Sequence, residues 1–514
     1  MEHYSSTKKW LIFCIVIISC SLNFNNIVLA EKFWLKGYRL LLPSTRSGFS
    51  PSTINVLDYG AIGDGLTDDS KAFLKAWEQV CKGSSEARLF QVPAGKTFLL
   101  RPIKFQGPCK SSSIYVQIEG KFEAPKTMDG WRDSKCVNSW IKFAEIQGLQ
   151  VNGSGQLDGH GSLWWSNPIL KKKCSRPTAL LFHQCKDIRL QGLTHLNSPM
   201  NHISINQCQN VGLSNLRIIA PQDSPNTDGI DVSSSTNVHI HHSQIETGDD
   251  CIAINDGSSL IDIDNVVCGP GHGISVGSLG KDGTHQTVEA VFVKNCTFNG
   301  SRNGARIKTW ELLCNIFVGA ARCPSNPICR DLERERDAPL QPSAVDEKKY
   351  AGRCCQRLSP RTRRRKANAH RSVSFADDDG GSGFARNITF EDIKFNKTRN
   401  PIIIDQHYRY GGHKPVRRNK KQYFLRRFFP SICKASAVQV SDVMYRNMHG
   451  TSATTKAITL LCSKEAPCLN LVFHNVHIRA SLPGQVAKAY AENAQVKVLF
   501  STSPRLVFKN YTFG

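Results

Sequence analysis

A short pattern of apolar and polar positions recurs along the middle and end of the chain. Apolar residues alternate with polar ones, a polar or Asn/Gly bend follows, and the alternation resumes. Alternation of this kind places the apolar side chains on one face of a β-strand. Copies of the pattern begin at Ile146, Ile188, Val211, Val238, Ile261, Val291, Ile388, Val438 and Leu471.

The constancy of this repeat separates two all-β architectures. A unit of about 20 to 35 residues made only of short strands predicts the stacked coils of a parallel β-helix. An all-β sandwich also contains many short strands, but its strands do not repeat one internal spacing, so we disfavour it. We predict an all-β chain with one parallel β-helix domain over residues 53–495.

Two segments interrupt the repeat. From Ile188 to Val291 the copies follow one another at intervals of 23, 27, 23 and 30 residues, whereas the next two intervals are 97 and 50. Residues 311–379 and 409–434 lie in these long intervals and show no strand periodicity. We interpret both as atypical inserts that arise from translated introns or splicing errors, a hypothesis that continuous transcript reads across both segments would refute.

The N-terminus has the pattern of a secretory signal. Lys8 and Lys9 precede a short apolar run, and Val28-Leu-Ala30 offers small residues for cleavage after Ala30. The apolar run is well short of the roughly 20 residues that span a membrane, which disfavours a retained anchor. We predict a signal peptide over residues 1–30 and a secreted, extracellular protein.

Secretion changes how the 19 cysteines are interpreted. In an oxidising compartment cysteines form disulfides, and the close pairs Cys251/Cys268 and Cys462/Cys468 are candidate bridges. Asn-x-Ser/Thr acceptors for glycosylation also suit a secreted surface. They occur at Asn152, Asn295, Asn299, Asn387, Asn396 and Asn510.

The net charge of +24 suggests an acidic partner, such as nucleic acid, an anionic membrane or an acidic polymer. Roughly half of this excess lies in the two predicted inserts, outside the repeating body. We interpret the basic run Arg361–Lys366 as solvated, because a secreted chain meets little nucleic acid. We therefore predict neither nucleic acid nor, after signal cleavage, a membrane as partner.

Four short polar stretches lie on consecutive copies of the repeat. A step of 22 residues separates Asp228 from Asp250, and the same step separates Asp250 from His272. Coils of that length would stack these three side chains on one face. Asp249 joins them only if the chain bends, which Gly248 would permit. The stretches are Asn226-Thr-Asp-Gly-Ile-Asp231, Gly248-Asp-Asp-Cys251, Gly271-His-Gly273 and Arg306-Ile-Lys308.

These residue types suit the hydrolysis of a glycosidic bond. That reaction needs one protonated carboxyl to protonate the leaving oxygen and one carboxylate to activate water. Crowded carboxylates raise one pKa and so supply the acid from the same residue type. Arg306 and Lys308 alternate around Ile307, so both could bind substrate carboxylates. A calcium site is the alternative for such a cluster, but these two cations would repel the ion, so we predict no metal.

As a set, the four stretches resemble the signature motifs of plant polygalacturonases, pectin-cutting glycoside hydrolases with a right-handed parallel β-helix of the pectin lyase-like type. The resemblance covers about residues 55–310, 380–408 and 435–494. It implies a monomeric enzyme of the cell wall, without a cofactor, that hydrolyses α-1,4-galacturonosyl linkages in polygalacturonate with inversion of configuration.

The resemblance also implies a role for each site residue. Asp249 would be the general acid, and Asp228 and Asp250 would hold and activate the water. His272 would tune the protonation of the acid or orient the site. The substrate-binding residues would be Asn226, Arg306, Lys308 and Tyr408.

Two other functions stay open at this point. The chain could be a non-catalytic or inactive pectin-binding product, because the inserts follow closely behind Lys308 and Tyr408. It could also be a related pectin enzyme, such as a rhamnogalacturonan hydrolase or a calcium-dependent lyase. A lyase would need a base and calcium instead of an acid–base carboxylate pair.

Overall fold

The repeat of apolar positions folds into stacked coils whose strands pair in parallel with the next coil. Ile203, Ile230, Ile252 and Ile274 are register partners on four successive coils, and all four are fully buried. The coil steps are therefore 27, 22 and 22 residues, as the sequence intervals predict. This stacking defines a right-handed parallel β-helix, which confirms the predicted fold class.

The computed structural model describes residues 52–83, 88–131, 137–165, 176–310, 381–408 and 437–509. The predicted signal peptide and both predicted inserts, 311–379 and 409–434, lie outside the described residues. Their boundaries stay predictions.

The described part of the chain contains 33 strands. The first seventeen are β1 Ser52–Asn55, β2 Asp64–Asp68, β3 Arg88–Val92, β4 Thr97–Leu99, β5 Ile103–Gln106, β6 Ile114–Ile118, β7 Lys121–Glu123, β8 Ser139–Ala144, β9 Leu149–Asn152, β10 Gln156–Asp158, β11 Thr178–His183, β12 Lys186–Gln191, β13 Thr194–Leu196, β14 Ile203–Asn206, β15 Gln209–Ser214, β16 Arg217–Ile219 and β17 Ile230–Ser233. The remainder are β18 Thr236–Glu246, β19 Ile252–Ile254, β20 Ser258–Cys268, β21 Ile274–Leu279, β22 His285–Lys294, β23 Thr297–Asn299, β24 Asn303–Trp310, β25 Ser382–Thr398, β26 Asn400–Tyr408, β27 Ala437–Ser452, β28 Lys456–Leu461, β29 Cys468–Ala480, β30 Lys488–Glu492, β31 Ala494–Val498, β32 Thr502–Ser503 and β33 Leu506–Lys509.

One strand of each coil belongs to a 12-stranded parallel sheet that carries the predicted site. Its order from one end to the other is β5, β8, β11, β14, β17, β19, β21, β24, β26, β28, β30 and β33. The other described strands build the remaining walls. Since β24 pairs directly with β26, this sheet continues across the interval that contains residues 311–379, with Lys308 opposite Asp405.

The core is the interior of the coil, and an amphipathic helix packs against its first coils. This helix, α1, spans Ser70–Lys82 and buries Phe73 and Trp77. Their rings contact those of Phe98 and Phe105 at centroid distances of 5.2 and 5.1 Å. Burial of these aromatic side chains stabilises the end of the β-helix that α1 covers. The other described helical turns are α2 Ser162–Trp165 and the 3₁₀ turns Val56–Tyr59, Met128–Trp131 and Lys281–Gly283.

Three disulfides join described cysteines. Cys251–Cys268 and Cys462–Cys468 confirm the two candidate bridges, and Cys81–Cys109 is a third that the sequence did not single out. The five glycosylation acceptors among the described residues are all exposed, and Asn510 lies outside them. None of the described helices is both long and apolar enough to cross a membrane.

Candidate active site

The coil register brings the three residues of the 22-residue step together. Asp228, Asp250 and His272 each stand two residues before the aligned isoleucines of β17, β19 and β21. Main-chain hydrogen bonds fix this stacking: Gly229 N donates to Asp250 O at 2.9 Å, and Cys251 N donates to Gly273 O at 2.8 Å. The predicted juxtaposition is therefore present.

A bend at Gly248 lets both neighbouring aspartates reach the same site. A carboxylate oxygen of Asp249, a carboxylate oxygen of Asp250 and a ring nitrogen of His272 all lie within 4.8 Å of one another. A Cβ on Gly248 would lie 2.1 Å from the carbonyl oxygen of Ser224, a distance that no side chain tolerates. Only glycine permits this close backbone approach, as the sequence suggested.

Asp250 is held by two cations. Lys308 Nζ donates to Asp250 Oδ2 at 2.7 Å, and Arg306 Nη1 donates to Asp250 Oδ1 at 3.3 Å. Ser275 Oγ donates to the same Oδ1 at 2.8 Å. Burial disfavours the charge on Lys308, but the Asp250 carboxylate outweighs it and raises the pKa of Lys308. The charged pair is thus compensated inside the protein.

Asp249 belongs to a second network, with His272 and Asn226. His272 Nδ1 and Asp249 Oδ1 are 2.7 Å apart, and Asn226 Nδ2 donates to Asp249 Oδ2 at 3.3 Å. Burial favours the neutral acid, but the hydrogen bond and charge of His272, together with the charge of Lys308, outweigh burial. The pKa of Asp249 therefore lies below its usual value.

Asn226 is itself positioned by an arginine that the sequence interpretation did not select. Arg176 Nη2 donates to Asn226 Oδ1 at 2.6 Å, and Nη1 donates to the carbonyl oxygens of Pro199 and Pro225. The planar guanidinium therefore fixes both the side chain and the backbone beside Asn226.

Asp228 and Asp231 are the carboxyls that the environment keeps neutral. Burial, and then the charges of neighbouring aspartates, raise the pKa of Asp228 well above its usual value. The same two causes raise the pKa of Asp231 to about 8. Asn201 Nδ2 donates to Asp231 Oδ2, whereas the buried Asp231 Oδ1 has no hydrogen-bond partner among the described residues. Burial is the larger cause and crowding the smaller one, and the pKa rises at Asp228 and Asp231, whereas the pKa of Asp249, the acid that the resemblance implies, is lowered.

Tyr408 lies against the two cations of the site. Its ring centroid is 5.4 Å from Arg306 Cζ and 5.3 Å from Lys308 Nζ, distances typical of cation–π contacts. The ring of Trp310 contacts it edge-on at 5.1 Å. The structure therefore places all eight predicted site residues in one connected cluster.

Sequence reasoning missed four residues of this cluster: Asn201, Asp231, Ser275 and Arg176. A signal existed for the first, because extending the coil register one step back aligns Asn201 with Asp228. Asp231 ends the stretch Asn226-Thr-Asp-Gly-Ile-Asp231, but it was not predicted to be a site residue. Ser275 also lies on the register, two steps of 22 residues after Asp231, whereas Arg176 acts through side-chain contacts that no spacing reveals.

The donor atoms of Asp249, Asp250 and His272 are close enough to one another to hold a metal ion. However, both oxygens of Asp250 already accept hydrogen bonds from Arg306, Lys308 and Ser275. A cation at this point would compete with two fixed positive charges. The donor set therefore fits a protein-compensated carboxylate better than a metal site.

Comparison with known proteins assigns the family. The family described as glycosyl hydrolases family 28 matches residues 81–319 and 366–500. A probable polygalacturonase of Arabidopsis thaliana is 41% identical over 467 residues, covering 90% of this chain and 82% of the relative. A polygalacturonase of Malus domestica is 35% identical over 458 residues, covering 88% and 79%. The chain therefore belongs to glycosyl hydrolases family 28, and it is a hydrolase that acts on glycosidic bonds.

Solved structures agree on the fold. An endo-xylogalacturonan hydrolase from Aspergillus tubingensis superposes with a TM-score of 0.62 at 21% identity, covering 88% of this chain and all of that one. An exopolygalacturonase from Thermotoga maritima gives a TM-score of 0.57 at 17% identity, with 91% and 94% covered. At these identities the likeness establishes the parallel β-helix and nothing finer.

Proposed function

We propose that this chain hydrolyses α-1,4-galacturonosyl linkages in polygalacturonate by acid–base catalysis with inversion. The observation that carries the proposal is the pairing of an acidic cluster, Asp228, Asp249 and Asp250, with two cations, the partly buried Arg306 and the buried Lys308. Carboxylates supply the chemistry of glycosidic hydrolysis, and the cations suit a substrate that carries a carboxylate on each sugar.

Two carboxyl groups act on the attacking water, and each has a different role. Asp250, in contact with two cations, is the carboxylate that accepts the proton of water. Asp228, whose pKa is raised, holds the water as a neutral partner. We place the water against Asp228 and Asp250. Oxygens of Asp249 and Asp250 lie within 4.8 Å, closer than the ~6.5–9.5 Å usual for inverting pairs, so the proposal of inversion rests on the family resemblance and is tested by the anomeric configuration of the first product.

Asp249 is the proposed general acid, and His272 is its hydrogen-bond partner. In the free chain the pKa of Asp249 lies below its usual value, so substrate binding has to raise this pKa before Asp249 can hold a proton. A bound substrate carboxylate adds negative charge and excludes water, and both effects raise the pKa of a neighbouring acid. Asp249 then carries the proton and delivers it to the leaving oxygen.

Arg306, Lys308 and Tyr408 form the proposed binding surface for the galacturonate carboxylate. Arg306 keeps donors beyond the one that it gives to Asp250, and Tyr408 limits where a sugar can lie. We further propose that the protein acts on pectin in the cell wall after secretion and works as a monomer. Its plant relatives support the substrate class.

The direct experiment is an assay of reducing ends released from polygalacturonate by the full chain, with a chelator present. Hydrolysis predicts release that the chelator does not affect, and a first product of inverted anomeric configuration. Products with an unsaturated terminal sugar, or loss of activity in chelator, would indicate a lyase and refute the proposal. Faster release of reducing ends from a rhamnogalacturonan would indicate that this polymer, and not polygalacturonate, is the substrate.

A non-catalytic pectin-binding product is the second candidate, and one observation favours it. The family match omits residues 320–365, which lie within the predicted insert 311–379. Parallel expression with and without residues 311–379 and 409–434 separates the two functions. Activity only in the shortened chain would support the second candidate for the full chain.

A further inference from the structure

A row of outward-facing side chains crosses the 12-stranded sheet and passes through the active site. Register partners run from Asp231 through Ala253 and Ser275 to Arg306. In the other direction the row continues from Asp231 through Ser204 and Leu181 to Lys142 and then Lys104. One face of one sheet therefore joins the active site to two lysines.

Both lysines point away from the core. Lys104 lies between the buried Ile103 and Phe105, and Lys142 lies between the buried Ile141 and Phe143. Alternation along a strand then directs both lysine side chains to the outer face. With strands about 4.8 Å apart, Lys142 is ~14 Å and Lys104 is ~19 Å from Asp231 along the sheet.

The two lysines stand directly opposite each other on neighbouring strands. Like charges in this position destabilise a sheet. Burial, and then the charge of Lys104, lower the pKa of Lys142, and Glu145 compensates only in part. Among the described residues no carboxylate forms an ion pair with either lysine. An anion at this point would therefore relieve a repulsion that Glu145 compensates only in part.

The stretch between the lysines and the site can hold an acidic chain. Leu181 and Ser204 occupy the two intervening positions, and neither carries a charge. A polymer with a carboxylate on every sugar could extend along this row without meeting an acid before Asp231. A small anion could bind the two lysines alone, so the uninterrupted row from the lysines to the active site favours a polymer as the ligand.

We propose that Lys104 and Lys142 form a remote subsite that binds a carboxylate of the polygalacturonate chain several sugars away from the bond that is cut. The subsite rests on the proposed function for the identity of its polymer. Its consequence is a preference for long chains over short oligomers. This preference comes from charge, so it weakens as salt rises.

The test uses the full chain with Asp249→Asn, so that bound oligomers stay intact. Equilibrium binding of a galacturonate trimer and of a long galacturonate oligomer is compared before and after Lys104→Gln with Lys142→Gln. We expect the affinity for the long oligomer to fall about fivefold at low salt, with a smaller loss for the trimer. The matched control is Lys121→Gln with Lys186→Gln, which removes the same charge from exposed positions on other walls.

Three results would overturn the subsite: unchanged affinity for the long oligomer, an equal loss for the trimer, or an equal loss in the control. Failure of the proposed hydrolysis is a different result, since the chain with Asp249 intact would then release no reducing ends. Lysine-dependent binding without turnover would support the subsite and refute the hydrolysis.

Discussion

Lys308 donates a 2.7 Å hydrogen bond to Asp250, and the two side chains are only 10% and 1% exposed. Lys308 lies on β24, and Asp250 stands two residues before β19, so the contact depends on the stacked coils between them. Two buried opposite charges stabilise each other only while both are present. The acid cluster and the substrate-binding cations are therefore parts of one electrostatic unit.

Lys308→Met should destabilise the fold as well as reduce activity. It leaves Asp250 buried with Arg306 as its remaining cation, and breaking a buried pair costs about 3–5 kcal/mol. Urea unfolding measures the loss. Lys82→Met is the matched control, because the Lys82–Glu78 pair is exposed to solvent and should contribute far less to stability. Equal losses in the two variants would show that the Asp250 pair is not compensated as described.

Asp231→Asn should change how stability depends on pH. The folded chain keeps the proton of Asp231 up to a pKa of about 8, whereas the ordinary value is 3.8. Unfolding releases this proton between those values, so the free energy of unfolding falls as pH rises from about 4 to about 8. Asp228, whose pKa is also raised, acts in the same direction.

The Asp231→Asn variant lacks one of these titrating groups, so its free energy of unfolding should fall less over the same pH range. Asparagine can still accept the hydrogen bond from Asn201. Urea unfolding near pH 4 and near pH 8 measures the difference, and Asp58→Asn, at an exposed position, is the control. A decline as steep as that of the unmodified chain would contradict the neutral state of Asp231.

Arg176→Ala should lower kcat about tenfold, with a smaller change in KM. Arg176 fixes Asn226, which donates to Asp249, so its loss displaces a partner of the proposed acid. Arg189→Ala is the control, since Arg189 also donates to backbone carbonyls but lies on β12, outside the 12-stranded sheet. Equal kinetics of the Arg176 variant and the unmodified chain would remove Arg176 from its positioning role.

Gly248→Ala should abolish most activity by displacing the two aspartates that follow it. The added Cβ would meet the carbonyl oxygen of Ser224, and misplacement by about 1 Å can cost ~10²-fold in rate. Gly95→Ala tests backbone strain without this clash. Gly95 has φ +73° and no atom within 4 Å of an added Cβ, so only about 1–2 kcal/mol of stability should be lost. Full activity in Gly248→Ala would show that the bend tolerates a side chain.

Most of what could be predicted from the sequence, both the fold and the position of the aspartates and the histidine, came from the coil repeat. Because the two coils that join Asp228, Asp250 and His272 are each 22 residues long, the spacing of these residues was enough to place them together. Protonation states could not be predicted in this way. The pKa of Asp249 depends on the contact with His272, and that of Asp231 depends on burial, so both require coordinates. Arg176 was missed because its contacts follow no repeat.

Turnover of polygalacturonate by the Asp249→Asn variant tests the central claim most directly. Loss of a general acid typically lowers the rate about 10²- to 10⁴-fold, so the variant should release almost no reducing ends while it still binds the polymer. Asp262→Asn, a carboxylate on β20 paired with Lys294, should leave the rate unchanged. A near-normal rate in Asp249→Asn would contradict the assignment of Asp249 as the acid and the catalytic account built on it.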